Sequence, residues 1–208
     1  MTDSLQIAFV CEGPTDSPIL EAVVEAILGA DYVPLYLQPE RDMLSDGESW
    51  GDGNDDRVRA WCEQRAGNLE YAVYGADVII VQLDADRCAK YGASSTAELC
   101  ATVKGWLGAS ASDARLVIVL PAQATESWLV AAHGALSPQL ERERHPEERL
   151  AALGKLERDH DGRAIKSRQR YVSLAERLRE ELPRVRGVLD ELERFASKLE
   201  RHRERLAS

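Results

Sequence analysis

Asp77-Val78-Ile79-Ile80-Val81-Gln82-Leu83-Asp84-Ala85-Asp86 is the stretch on which the fold turns. Its run is β-branched and apolar at odd and even positions alike. A strand buried on both faces needs that pattern, so the run predicts a parallel strand over 77–84. Three other apolar runs accompany it: LQIAFV (5–10), YVPLYL (32–37) and RLVIVLP (115–121). Pro34 has no amide hydrogen to give to a neighbour, so the second run is expected at a sheet edge. Helical patterns separate the runs. SPILEAVVEAIL (17–28) has Asp16 or Ser17 as a candidate N-cap and Pro18 in its first turn. Residues 55–73 and 95–107 read as further helices. Strand and helix in alternation argue for an α/β fold, a Rossmann-like parallel sheet of about four strands flanked by helices, over residues 1–135.

After residue 135 only helical spacing remains, and residues 136–208 are expected to form an all-helical extension packed on the sheet domain or on a partner. Leu174, Leu178 and Leu182 recur every fourth residue. Val185, Leu189, Leu192, Phe195 and Leu199 trace an apolar stripe, which is either core packing or a face for a homodimer or partner helix. Pro183 is expected to break the last two helices apart. Between the second strand and the next helix, residues 38–56 (QPERDMLSDGESWGDGNDD) carry no period and read as a long functional or mobile loop. Trp50 within it reads either as a loop anchor or as a substrate contact.

The chain has 208 residues, 44% hydrophobic and 30% charged, which places it among globular proteins and not disordered ones. No apolar run approaches the roughly 20 residues of a membrane helix. The opening MTDSLQIAFVCEG lacks the basic start of a secretory signal, and the four cysteines form no CxxC pair. A cytoplasmic location without membrane contact is the expectation. Net charge is −10, unevenly spread: residues 1–140 hold 8 Lys and Arg against 21 Asp and Glu, and the rest hold 18 against 15. The acidic front favours cations over a passive polyanion surface. The arginine-rich tail reads as a solvated helical face or as an electrostatic footprint for nucleic acid. The four histidines (133, 145, 160 and 202) are expected at the surface.

The acids have a pattern. Residues 5–10 run into Cys11-Glu12-Gly13-Pro14-Thr15-Asp16 and then a helix. Ligands of open α/β sheets gather beyond the carboxyl ends of strands, which is where Glu12 falls. Asp84 and Asp86, two apart on an extended segment, point the same way and repel unless a cation, a proton or an arginine lies between them. Arg87 is next in sequence and offers an ion pair. Glu126, after the fourth strand, falls at the same sheet end. Oxygen ligands of this kind suit Mg²⁺ or Mn²⁺ better than zinc.

A strand ending in Glu-Gly, followed later by one ending in Asp-x-Asp, resembles the Toprim domain. The EGPTD form and the downstream Glu126-Ser127-Trp128 segment resemble a narrower set, the small bacterial DUF4276 proteins and OLD-nuclease-like Toprim proteins. The resemblance covers residues 5–132 and, more loosely, the tail. It implies a Toprim-like fold in which Glu12 is a general acid/base or metal ligand and Asp84 and Asp86 are metal ligands. Asp16 stands where OLD-like members carry a glutamate, and Glu126 matches the glutamate of the ExW segment. Lys166 in GRAIKSRQRY is the candidate for a downstream basic catalytic residue. Arg87, Arg163, Arg168 and Arg170 are candidates to hold phosphates. The implied function is Mg²⁺- or Mn²⁺-dependent phosphodiester hydrolysis on nucleic acid, DNA first, in phage defence or DNA repair. The alternatives are a regulatory subunit inert without a partner ATPase, and a metal-dependent nucleotide phosphohydrolase. A P-loop is absent, and a HAD-type phosphatase would place Asp-x-Asp after the first strand.

Overall fold

The structure, a computed structural model, describes residues 4–42, 49–51, 53–65 and 75–207. In chain order its elements begin with β1 (Leu5–Val10), α1 (Asp16–Leu28), β2 (Tyr32–Gln38), β3 (Arg41–Asp42), β4 (Ser49–Trp50), α2 (Asp55–Arg65), β5 (Val78–Gln82), α3 (Thr96–Leu107) and β6 (Leu116–Val119). Four helices follow: α4 (Glu126–His133), α5 (Pro146–Ala152), α6 (Arg168–Arg186) and α7 (Asp190–Leu206). Short 3₁₀ helices span Ala85–Tyr91, Gly108–Ser112 and Pro138–Arg142. The chain divides into two compact units, Met1–Pro14 with Asp31–Leu120, and Thr15–Ala30 with Pro121–Ser208. Helix α1 and residues 121–135, read from sequence as part of the sheet domain, thus group with the helices.

The first unit is built on a four-stranded, all-parallel sheet in the order β2-β1-β5-β6. All five residues of β5 are buried, as its two-sided apolar run predicts. On one face Ala8, Val10, Ile79, Val81 and Ile118 form a core with Val58 and Cys62 of α2 and Leu99, Val103 and Leu107 of α3. The alternate residues Ile7, Phe9, Val78 and Ile80 are fully buried too. β2 is the edge strand, and its Pro34 sits opposite Ile7. The segment read as an aperiodic loop contains the antiparallel β3–β4 pair, and Trp50 packs edge-on against Tyr36 with ring centroids 5.0 Å apart. Trp50 is therefore an anchor within this unit. Helix α2 is described to Arg65; residues 66–73 of the predicted helix, like 43–48 of the loop, lie outside the described residues.

The second unit is helical. Leu20, Val23 and Val24 of α1, Trp128 and Leu129 of α4, Tyr171 and Leu178 of α6, and Leu192, Phe195 and Leu199 of α7 are all buried. The apolar stripe from Val185 to Leu199 is spent inside the chain, with Phe195 stacked on Trp128, so it offers no face to a second copy. Pro183 does not separate the last helices. It lies inside α6, which continues to Arg186, because Leu182 and Val185 on either side of it are buried and hold the backbone helical. The break falls at residues 187–189. The tail arginines are largely paired with glutamates: Arg179 with Glu25 at 2.6 Å, Arg184 with Glu181 at 2.6 Å, and Arg186 with Glu193 and Glu200, each at 2.6 Å. These pairs fit the reading of an ion-paired helical face.

Two buried polar groups hold this unit and carry predictions. Glu141 accepts from the Trp128 indole at 3.3 Å and from the first amides of α7, Glu191 at 3.0 Å and Leu192 at 3.1 Å. It caps a helix that has no side-chain cap of its own. Glu141→Leu leaves those donors buried and unpaired and is expected to lower unfolding stability by about 3 kcal/mol in urea titration. His202 is 7% exposed, and its Nδ1 faces the Arg205 guanidinium at 2.6 Å. Burial, then the charges of Arg205 and Arg201, push its pKa down to about 4. A depressed folded value contributes stability that is present above the unfolded pKa of about 6.5 and lost as pH falls through 4. Wild type is expected to lose about 2–3 kcal/mol more than His202→Gln between these pH values in parallel denaturation curves. Equal slopes would refute the assignment.

Candidate functional site

The strand order reverses at β1. From β1 the chain goes outward to β2, then returns to pair β5 on the other side of β1. Crevices outside the carboxyl ends of strands at such a switch point are where open α/β sheets bind ligands. The residues leaving those two ends are Cys11-Glu12 and Leu83-Asp84.

Glu12 and Asp84 are laced together there by Gln82, whose side chain is fully buried. The Gln82 amide oxygen accepts from the Glu12 backbone N–H at 3.0 Å, while its amide nitrogen donates to Asp84 Oδ1 at 2.7 Å. The Glu12 carboxylate in turn accepts from the Asp84 backbone N–H at 2.5 Å. Only an amide side chain both donates and accepts with this geometry, which explains a glutamine in an otherwise apolar strand. Sequence reasoning passed over Gln82, although a lone polar residue inside the VIIVQL run was a legible signal.

Asp86 is placed otherwise than expected. The strand ends at Gln82, Asp84 precedes a 3₁₀ helix beginning at Ala85, and Asp86 lies in its first turn with Ala85 buried between the two acids. The extended geometry that would aim both carboxylates one way is absent, because the chain turns as soon as the sheet ends. Asp86 is partly exposed and 3.5 Å from Arg87. Burial raises its carboxyl above the usual range; Arg87 opposes this and Asp55 adds to it. Asp55, at the start of α2, accepts from Lys90 at 2.8 Å and from the Tyr91 hydroxyl at 2.9 Å. Burial works against its charge, but those partners outweigh it and hold its carboxyl low.

The same end of α2 is pressed onto Glu12. A Cβ added to Gly53 would meet the Glu12 carbonyl oxygen at 2.0 Å and Gly13 Cα at 2.9 Å, so only glycine allows the approach. The start of α2 thus touches the residue after β1 and, through Asp55, ties down the 3₁₀ helix after β5. Neither Gly53 nor the Asp55-Lys90-Tyr91 group is recognisable in the aperiodic sequence around it.

The other sequence-predicted residues lie in the second unit. Asp16 is not the N-cap of α1 but its first residue; it is buried and accepts from the Thr125 hydroxyl at 2.6 Å. Glu126, 3% exposed, accepts from Lys166 at 2.7 Å and from the Tyr171 hydroxyl at 3.1 Å. Burial works against the Lys166 charge, but Glu126 outweighs it and raises the ammonium above the ordinary lysine value. Burial and then Glu126 push the Tyr171 phenol up. Lys166, though exposed, is therefore the counter-ion of a buried glutamate. Arg168 lies 3.4 Å from Glu21 and Arg170 donates to the Lys155 carbonyl at 2.6 Å, so both hold structure, whereas Arg163 is exposed. His133, expected at the surface, is half-buried on the Leu174 carbonyl at 2.9 Å.

Among the described residues no three His, Cys, Asp or Glu side chains are gathered into a metal-holding group. Glu12 and Asp84 fit a hard divalent cation by donor type and by their placement at one switch point. Mg²⁺ is commonly held by one or two carboxylates, with water and substrate oxygens completing its shell. Asp86, turned to Arg87, does not join them in this arrangement.

No family model matches this chain, and no curated protein or solved structure matches it significantly. The class that the fold defines is an α/β protein with a four-stranded parallel sheet and C-terminal helices. Among the described residues, no helix is long and apolar enough to cross a membrane.

Proposed function

We propose that this chain is a Toprim-like hydrolase that cleaves phosphodiester bonds in nucleic acid, DNA in the first instance, with Mg²⁺ or Mn²⁺. The observation that carries the reading is the meeting of Glu12 and Asp84 at the switch point, cross-linked through Gln82. A divalent cation bound there would neutralise phosphoryl charge and make a coordinated water more acidic. Glu12 takes the proton from the attacking water while the P–O bond to the leaving alcohol breaks and that oxygen takes a proton from solvent. Its carboxylate is oriented by the Asp84 amide, and Gln82 holds the Asp84 carboxylate by donating to it.

The test is supercoiled plasmid incubated with purified protein and Mg²⁺ or Mn²⁺, beside Asp84→Asn and a chelated control. Nicking that is lost in both supports the reading; nicking that persists in either ends it. One observation favours a second reading. Asp86 held by Arg87 leaves two acids where the resemblance implies three, as would suit a subunit whose site completes only beside a partner ATPase. That reading expects nicking only after the partner is added.

A further inference from the structure

Next to Gln38, at the carboxyl end of β2, opens a cleft of about 440 Å³ walled by α2. Three features set it apart. Trp61 from the helix gives it an aromatic wall, while the Tyr36 ring turns to Phe9 on the opposite sheet face. Its charge is locally basic, Arg57 and Arg65 against Glu40, in a stretch of chain where acids outnumber bases 21 to 8. It also has amides, Gln38 and Gln64, that both donate and accept. The aromatic wall is held in place, since Trp61 packs on the core beneath α2.

The cleft adjoins the candidate site. The Cys11 amide donates to the Gln38 carbonyl at 2.6 Å, one residue before Glu12. Arg57 lies in the first turn of α2, the helix whose approach Gly53 seats on Glu12. A ring to stack on, cations for a phosphate and amides for a base edge are the chemistry of a nucleotide.

We propose that this cleft binds one nucleotide unit, its base on Trp61 and its phosphate toward Arg57 and Arg65. It would seat the nucleotide next to the bond that Glu12 addresses, and in that respect the inference rests on the proposed phosphodiesterase reading. The ligand is either a free mononucleotide or a nucleotide within a single strand.

The experiment is metal-free binding by the full chain in EDTA. A fluorescein-labelled oligodeoxyadenylate is followed by anisotropy, with AMP and inorganic phosphate as competitors. Binding is expected, with AMP displacing the probe far better than phosphate. An oligomer that competes much more strongly than AMP identifies a strand as the ligand; equal competition identifies a mononucleotide. Trp61→Ala is expected to weaken binding about tenfold, the size that base–aromatic stacking carries. Because Trp61 also touches the core, the exposed Arg65→Glu is the companion variant, with a similar loss expected and no effect on folding. No binding, phosphate competing as well as AMP, or unchanged binding in both variants would overturn the proposal. Cleavage with Mn²⁺ is scored separately. Binding without cleavage refutes the phosphodiesterase reading and leaves the cleft, and cleavage without nucleotide binding does the reverse.

Discussion

Glu12→Gln is expected to lower Mg²⁺- or Mn²⁺-dependent plasmid nicking at least about a hundredfold, the lower bound for losing a positioned general base. The substitution isolates the chemistry from the fold. The glutamine oxygen can still accept from the Asp84 amide, which now meets Glu12 at 2.5 Å, and the backbone contact to Gln82 is untouched. Unfolding midpoint and cooperativity should therefore match wild type, while negative charge and proton affinity are lost together. Chelation of wild type should reproduce the defect. Nicking by Glu12→Gln at the wild-type rate would remove Glu12 from the mechanism. A rate loss matched by a loss of folded protein would make it a structural residue instead.

Gly53→Ala is expected to impair the same site without touching a functional group. The added methyl carbon would stand 2.0 Å from the Glu12 carbonyl oxygen and 2.9 Å from both Glu12 C and Gly13 Cα. Those neighbours are backbone and cannot swing aside, so the start of α2 and the turn after β1 must part. Overpacking of this kind costs about 1–3 kcal/mol. A misplacement of roughly 1 Å at a reacting centre can cost about a hundredfold in rate. The expected result is a moderately less stable protein whose nicking falls more steeply than its folded fraction. Wild-type rate and stability would mean that the α2 end is not seated on Glu12 at all. If the cleft beside α2 binds a nucleotide, the same variant should weaken that binding too, since Arg57 is carried on the displaced turn.

Sequence reading placed the sheet well where periodicity is strong. The two-sided apolar run around Ile79 and Ile80 became the buried β5, and Pro34 marked the edge strand. It could not show which partners a residue meets from elsewhere in the chain. Asp84 and Asp86 look equivalent along the chain, but the 3₁₀ turn at Ala85 separates them and gives Asp86 to Arg87. Lys166, 40 residues from Glu126 in sequence, is its ion-pair partner. Gln82 and Gly53 were overlooked because their importance lies in what approaches them.

By itself, the sequence determined the order of the four parallel strands, the helical character of the tail, and the fall of Glu12 and Asp84 at strand ends. These are local consequences of side-chain period and backbone preference, legible in windows of a dozen residues. The tertiary structure decided the rest. It set β5 beside β1, so that two acids 72 residues apart share one hydrogen bond. It also turned the Val185–Leu199 stripe inward and grouped α1 with the helices rather than the sheet. Such pairings follow from which surfaces bury best against one another, a property of the whole chain that no single segment carries.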